Sequence, residues 1–443
     1  MTASRLLLAA TLATTLAAGV PAEAAPDTAA RQRLAKTLLT EWAAGDVVHV
    51  RALFSPRVQA LILPAQLKAA WQQFEQRFGR FQAITGMRSG QGDDLIVTCR
   101  FENATQDLLV RFDRDGHVFA VQGAGPAATY APPSYADPGS FTEREVVVGP
   151  LDLPGTITMP KGKGPFPALV LVHGSGPNDR DESIGPNKPF KDLAWGLASR
   201  GVAVLRYDKR TKARPAECVR LGDRFTVQEE VIEDARAAVR LLAHTPGVDA
   251  TRVFLLGHSL GGYLAPRIAE GAPELAGLVI MAGPVRPFED LLVDQARYLG
   301  QVDGMPRDVL DQQVRDIQRR ATRVKAPDLS PLTASASLPL GIPAPYWLDL
   351  RQVHPPQTAR ALGKPILVLQ GERDYQVTTA DFELWKQGLE GASVASYRLY
   401  PALNHLFQPG TGLCKPAEYQ VPGHVLPEVV TDVAGWIRGG DAR

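Results

Sequence analysis

Cysteine is scarce: the chain has three among 443 residues, few for an exported protein, and the odd count leaves one thiol over. No C-x-x-C or H-E-x-x-H occurs and no G-x-G-x-x-G follows a strand, so neither a metal nor a nucleotide cofactor is expected. Net charge is nearly absent too, with 48 Lys and Arg against 47 Asp and Glu. That balance argues against nucleic-acid or polyanion binding and against a whole-molecule field that draws in the substrate. No run after the first residues approaches the ~20 uninterrupted apolar residues of a membrane span, and internal repeats and low-complexity tracts are missing. What is present is apolar material, 45% of residues, in a length that favours two or more domains.

The first residues read as an address. Arg5 precedes an apolar run over 6–18, and Ala22-Glu23-Ala24 offers an A-x-A cleavage site, the pattern of a signal peptide over residues 1–24. The run is too short for an anchor, and no cysteine stands at the cleavage site to take a lipid. An exported bacterial protein, periplasmic or secreted, is expected.

Periodicity then divides the chain. Residues 27–79 carry helical spacing, after which 81–88, 94–102, 106–112 and 117–122 alternate as strands, with Asp115-Gly116 as a hairpin turn. Together they predict a small α+β domain over 27–122. A glycine-, alanine- and proline-rich stretch, 123–140, reads as a linker. Residues 141–440 alternate strands and helices in the manner of a mostly parallel, doubly wound α/β sheet. The stretch 226–243 places Val231, Ala235, Ala238, Val239 and Leu242 on one helical face, fit to dock on such a sheet. Between the strand at 278–281 and the next lies an insertion of about 80 residues, too long for an ordinary connection. It is expected to fold as a helical cap over about 286–354, acting as a lid or as a packing extension. Leu340, Ile342, Tyr346 and Trp347 are candidate acyl-pocket residues within it.

The chemistry is carried by an apolar strand, 252–256, that runs into Gly257-His258-Ser259-Leu260-Gly261 and on into an amphipathic helix. That is the layout of a nucleophile elbow, which lifts a serine hydroxyl above the sheet. Side chains at 257 or 261 would crowd so tight a turn. A serine nucleophile needs a base, and the base an orienting carboxylate, in the chain order Ser, acid, His. The strand 365–370 ends in Gly371-Glu372-Arg373-Asp374, and α/β sheets keep their sites past the carboxyl ends of strands. Asp374 is the favoured acid, with Glu372 the alternative. The strand 395–400 leads to a loop with His405, the candidate base. His173 and His258 read as packing or turn residues, and His354 as a weak pocket candidate. Upstream, a hydrophobic strand ends in His173-Gly174-Ser175-Gly176, a turn able to aim a backbone N–H at a carbonyl. Ser175 and Leu260 are therefore the candidate oxyanion donors, through their backbones. Cys218 and Cys414 fall in segments expected on the catalytic face, where an oxidising compartment would permit a disulfide between them.

These residues resemble the α/β-hydrolase superfamily, and within it bacterial serine carboxylesterases related to the dienelactone-hydrolase and serine-aminopeptidase-like groups. The likeness runs over about 140–440 and rests on the elbow and on four further blocks: His173 to Asp181, Arg206 to Arg210, Gly371 to Val377 and Leu403 to Phe407. It implies an α/β-hydrolase fold with the triad Ser259, Asp374 and His405. Dienelactone hydrolases proper use cysteine where this elbow has serine, so their substrate is not implied. The first domain resembles, more weakly, a small domain of uncharacterised function that sometimes precedes such hydrolases, of the cone-shaped nuclear-transport-factor kind. An exported carboxylesterase for a small-molecule ester is the leading expectation. A peptidase, an amidase or an acyl transferase would use the same groups, and a binding protein on a degenerate hydrolase fold is the alternative from another class. Oligomeric state stays open.

Overall fold

The computed structural model describes residues 28–59, 64–90, 94–113, 115–124, 130–392 and 395–439; the signal peptide expected over 1–24 lies outside them. The chain forms two compact units, the second starting at Tyr130.

In the first unit, helices Thr28–Ala44, Val47–Ala52, Pro56–Gln59 and Pro64–Phe78 precede four strands: β1 Phe81–Ser89, β2 Leu95–Phe101, β3 Thr105–Phe112 and β4 Val118–Ala124. The strands pair antiparallel in sequence order, as alternation with short turns requires. Their inward faces close on Trp42, Phe54 and Trp71, and the Trp42 indole donates to the Leu67 carbonyl at 2.8 Å, which satisfies its one buried polar atom.

The second unit is built on eight strands: β5 Phe141–Val148, β6 Leu153–Pro160, β7 Phe166–Val172, β8 Ala203–Tyr207, β9 Val248–His258, β10 Leu275–Met281, β11 Ile366–Gly371 and β12 Ala395–Tyr400. Their order in the sheet is β12-β11-β10-β9-β7-β8-β6-β5. The first six pair parallel, and β6 alone runs opposite, antiparallel to both β8 and β5, so the expected mostly parallel α/β sheet is present. Its central strands are apolar on both faces because helices cover both. On one face Leu169, Leu171 and Leu256 meet Phe190, Leu193 and Leu197 of the Pro189–Ala198 helix and Val429, Val430 and Val433 of the Pro427–Ile437 helix. The opposite face takes helices Glu233–Ala243 and Leu260–Glu270.

The chain moves from β7 outward to β8 and then returns past β7 to β9. This reversal opens a crevice between β7 and β9 at their carboxyl ends, the position where open α/β sheets bind ligands.

Two expectations about organisation need adjusting. Residues 130–140, read as the end of a linker, pack onto the second unit: the Tyr130 hydroxyl donates to Asp192 at 2.7 Å and the Tyr135 hydroxyl to the Val425 carbonyl at 2.8 Å. The helix expected over 226–243 begins as a single π-helical turn, Gln228–Ile232, before the regular helix Glu233–Ala243. The insertion after β10 is helical, with Phe288–Val302 packed against Arg307–Lys325, followed by Ala344–Leu350.

Candidate active site

Ser259 follows β9 directly and starts the Leu260–Glu270 helix, with φ 53° and ψ −116°. A non-glycine residue held there is strained by roughly 1–3 kcal/mol and persists only where its surroundings dictate it. They do: the Ser259 N–H donates to the Met281 carbonyl at 2.9 Å and its carbonyl accepts from the Tyr263 N–H at 2.9 Å. A Cβ on Gly257 would run into the Gly261 carbonyl, and one on Gly261 into the Val172 carbonyl. The glycines thus let strand and helix cross closely enough for this turn. The Ser259 side chain makes no capping bond to the helix, which leaves its hydroxyl uncommitted to the backbone.

Asp374 and His405 meet. The His405 Nδ1 lies 2.6 Å from Asp374 Oδ2, and since a carboxylate only accepts, Nδ1 carries the proton and Nε2 is the basic nitrogen of the neutral ring. Asp374 is fixed in turn: its Oδ1 accepts from the backbone N–H groups of Gln376 at 2.8 Å and Val377 at 3.1 Å, and its Oδ2 from the Gln370 amide at 3.3 Å. Glu372, the alternative acid, is exposed. The His405 loop is shaped by Asn404, whose Oδ1 accepts from the N–H groups of Leu406 at 3.0 Å and Gln408 at 3.2 Å.

The turn after β7 comes close to Ser259, for a Cβ on Gly174 would stand 3.1 Å from the serine Cβ. Among the described residues, neither the Ser175 N–H nor the Leu260 N–H donates to another group. Ser175 is exposed and Leu260 opens the helix, 1% exposed. Two unoccupied donors on adjacent elements, one at a helix N-terminus, suit a developing oxyanion.

His258 does more than pack. Its Nδ1 is 2.9 Å from Glu182 Oε2 and its Nε2 is 3.0 Å from the His405 carbonyl, and its ring centroid is 4.6 Å from that of His405. Both partners only accept, so both nitrogens donate and the ring is an imidazolium. Burial pushes the His258 pKa down, but the Glu182 charge and hydrogen bond, with the His405 carbonyl, outweigh it and leave the value raised. Burial likewise pushes Glu182 up, yet His258 and the Gly174 N–H, which donates to Glu182 Oε1 at 2.7 Å, hold it lowered. His173 is the opposite case. Burial lowers it to about 4, so it is a neutral ring at the end of β7.

A raised histidine value contributes stability that is complete below the usual ~6.5 and is lost as pH rises through the folded value; a lowered glutamate value contributes above the usual ~4.3 and is lost as pH falls. The pair therefore acts fully between about pH 4.5 and 6.5. Glu182→Gln should cost about 3–5 kcal/mol there, and less as pH climbs past the folded His258 value. Urea unfolding of both proteins at pH 5.5 and at steps up to pH 9 measures this, and a variant as stable as wild type at pH 5.5 contradicts it.

Two of the sequence blocks that carry the resemblance, His173 to Asp181 and Arg206 to Arg210, are tied together by polar contacts. Arg206 pairs with Asp181 and Glu143, Arg180 donates to Asp208 at 3.1 Å, and Lys209 donates to the Gly174 carbonyl at 2.8 Å. Glu182, Lys209 and Glu230 were missed by sequence reasoning. The available signal was position, since Lys209 follows the carboxyl end of β8.

Other candidates fall elsewhere. No disulfide joins Cys218 and Cys414: all three cysteines are free and buried. Cys218 sits on the short helix Pro215–Leu221 rather than in a loop, whereas Cys414 faces the Tyr419 hydroxyl at 3.8 Å, and burial pushes the two thiols up to about 11 and about 12. Tyr346 and Trp347 are sealed in packing: the Tyr346 hydroxyl donates to Glu230 at 2.6 Å, and Trp347 is fully buried with its ring 6.4 Å from Phe288. Ile342 is buried, and Leu340 is half-buried in a turn at φ 57°. His354 is exposed at the start of the Pro355–Leu362 helix. The insertion does reach the site loops, for Gln295 donates to the Gln376 carbonyl at 2.9 Å and Tyr298 to the Cys414 carbonyl at 2.9 Å.

Residues 169–411 match the model of the alpha/beta hydrolase family, and residues 35–120 match that of a protein family of unknown function, DUF3887. The chain is similar to the esterase EstD of Thermotoga maritima, 39% identical over 387 residues that cover 86% of this chain and 89% of that one. It is also similar to a monoacylglycerol lipase of Mycolicibacterium smegmatis, 28% identical over 248 residues, or 54% of this chain and 81% of the other. Among solved structures, an esterase from Pyrobaculum calidifontis aligns with a TM-score of 0.40 and 18% identity over 67% of this chain and 85% of its own.

Proposed function

The chain belongs to the alpha/beta hydrolase family, and from that premise we propose that it is an exported serine carboxylesterase that cleaves small or medium acyl esters through an acyl-enzyme on Ser259. The observation that carries this reading is the 2.6 Å hydrogen bond between Asp374 and His405, past the carboxyl ends of strands parallel to the one that ends in the strained serine elbow. The esterase EstD, similar along most of the chain, supports the ester as substrate. The apolar run and A-x-A site in the first 24 residues support export.

In this reading the Ser259 oxygen adds to the ester carbonyl carbon while His405 Nε2 takes the hydroxyl proton. The carbonyl oxygen becomes an oxyanion, received by the N–H groups of Ser175 and Leu260. Collapse expels the alcohol, which leaves with the proton from His405. Water then gives a proton to His405 and its oxygen to the acyl carbon, and the second collapse releases the carboxylic acid and returns the proton to Ser259. Asp374 steadies the imidazolium in both halves.

Cells producing the natural chain, treated with a fluorophosphonate, should yield one labelled protein in the exported fraction, processed after Ala24 and labelled at Ser259. The same preparation should hydrolyse short-chain nitrophenyl esters faster than the matching anilides. A folded, unlabelled protein refutes the nucleophile, and anilide turnover exceeding ester turnover refutes the substrate class.

A further inference from the structure

Lys209 has no part in the steps above, yet it is only 2% exposed at the end of β8. Its ammonium donates to Glu230 Oε1 at 2.6 Å and to the Gly174 carbonyl at 2.8 Å. The other Glu230 oxygen accepts the Tyr346 hydroxyl at 2.6 Å. Glu230 lies in the π-helical turn Gln228–Ile232 and Tyr346 on the insertion helix Ala344–Leu350, so two elements distant in sequence converge, through one cation, on one carbonyl. Stability alone is a poor account of this, since a buried ion pair is commonly no better than well-packed apolar residues.

The carbonyl in question shares its peptide unit with the Ser175 N–H. A trans peptide is planar, so its C=O and the following N–H point in opposite directions. Fixing the oxygen on Lys209 fixes the N–H on the other side. Asn178 adds a second donor to the same oxygen at 3.2 Å, and Glu182 holds the preceding N–H at 2.7 Å, so the turn cannot swivel about Gly174. A cation on the carbonyl also polarises the peptide and strengthens its N–H as a donor.

We propose that Lys209, held by Glu230 and Tyr346, is a positioning residue that aims the Ser175 N–H at the oxyanion, so that the insertion acts on catalysis through a tyrosine rather than through an acyl pocket. This rests on the assignment of Ser259 as nucleophile and Ser175 as donor. Its signature is a loss confined to species that bear the oxyanion.

The test compares wild type, Lys209→Met and Tyr346→Phe in ester turnover and in affinity for a trifluoromethyl ketone, which adds the Ser259 oxygen and leaves an oxyanion. The unfluorinated ketone, which stays trigonal, serves as the reference ligand. Lys209→Met should lower kcat by about 10²-fold, the scale of one lost oxyanion donor, with KM little changed and affinity for the fluorinated ketone falling in parallel. Tyr346→Phe should give about a five- to tenfold loss of the same kind. Wild-type kcat and ketone affinity in either folded variant overturns the proposal, as does a loss shared equally by both ketones. Should Lys209→Met not fold, Tyr346→Phe, which removes one hydroxyl, decides alone. Failure of the underlying reading looks different: the wild type itself would neither label at Ser259 nor turn over esters, and the proposal would fall with it.

Discussion

Ser259→Gly should abolish ester turnover and at the same time raise the unfolding midpoint. The first effect follows from removal of the proposed attacking atom, a loss on the order of 10⁶-fold in enzymes of this mechanism. The second follows from the backbone. At φ 53° and ψ −116° serine occupies a conformation that costs it roughly 1–3 kcal/mol, whereas glycine enters it freely. For a unit of this size about 1 kcal/mol corresponds to a few degrees in Tm. Ser259→Ala is the control: it should be equally inactive without the gain in stability, because alanine keeps the Cβ. Thermal unfolding and nitrophenyl ester assays on the three proteins decide it. A glycine variant less stable than the alanine variant would show that the elbow is not under strain.

Asp374→Asn should reduce kcat by about 10⁴-fold while leaving the fold intact. The reason lies in the second oxygen. Asp374 Oδ1 accepts from two backbone N–H groups, those of Gln376 and Val377, so an asparagine must keep its carbonyl oxygen there. Its NH₂ then faces His405 Nδ1, where the aspartate had accepted. Two donors cannot share that contact, and the imidazole shifts its proton to Nε2, the atom that must be free to receive the serine proton. Near-ultraviolet circular dichroism should match wild type, and single-turnover acylation should carry the loss. Glu372→Gln, which changes an exposed side chain, should leave the rate unaltered; a large loss there with a small one at Asp374 would exchange the two acids.

Much of this site was legible in the chain because its elements are local. A strand, a glycine, a serine and a helix within a dozen residues leave the same trace wherever they occur, and Asp374 and His405 each follow a strand whose direction the parallel sheet dictates. The hydrophobic periods likewise foretold both units. The misreadings share a cause. Tyr346 and Trp347 looked like pocket residues because aromatics in an insertion read as apolar surface, but the tyrosine hydroxyl belongs to Glu230. His258 looked like a turn residue because its partner Glu182 lies 76 positions earlier. Cys218 and Cys414 were read as partners because their segments follow strands of one sheet, but each is a free, buried thiol.

The amino-acid order by itself determined the two units, the parallel sheet, the elbow and the chain order of the proposed nucleophile, acid and base, since each depends on backbone preference and hydrophobic period over short spans. The tertiary structure alone decided which buried charges matter: that the Glu182 carboxylate accepts from His258 behind His405 and keeps it protonated, and that Lys209 links the insertion to the Gly174 peptide. A charge taken out of water is tolerable only beside its partner, and that partner's identity is a matter of distance in space, which no local pattern records.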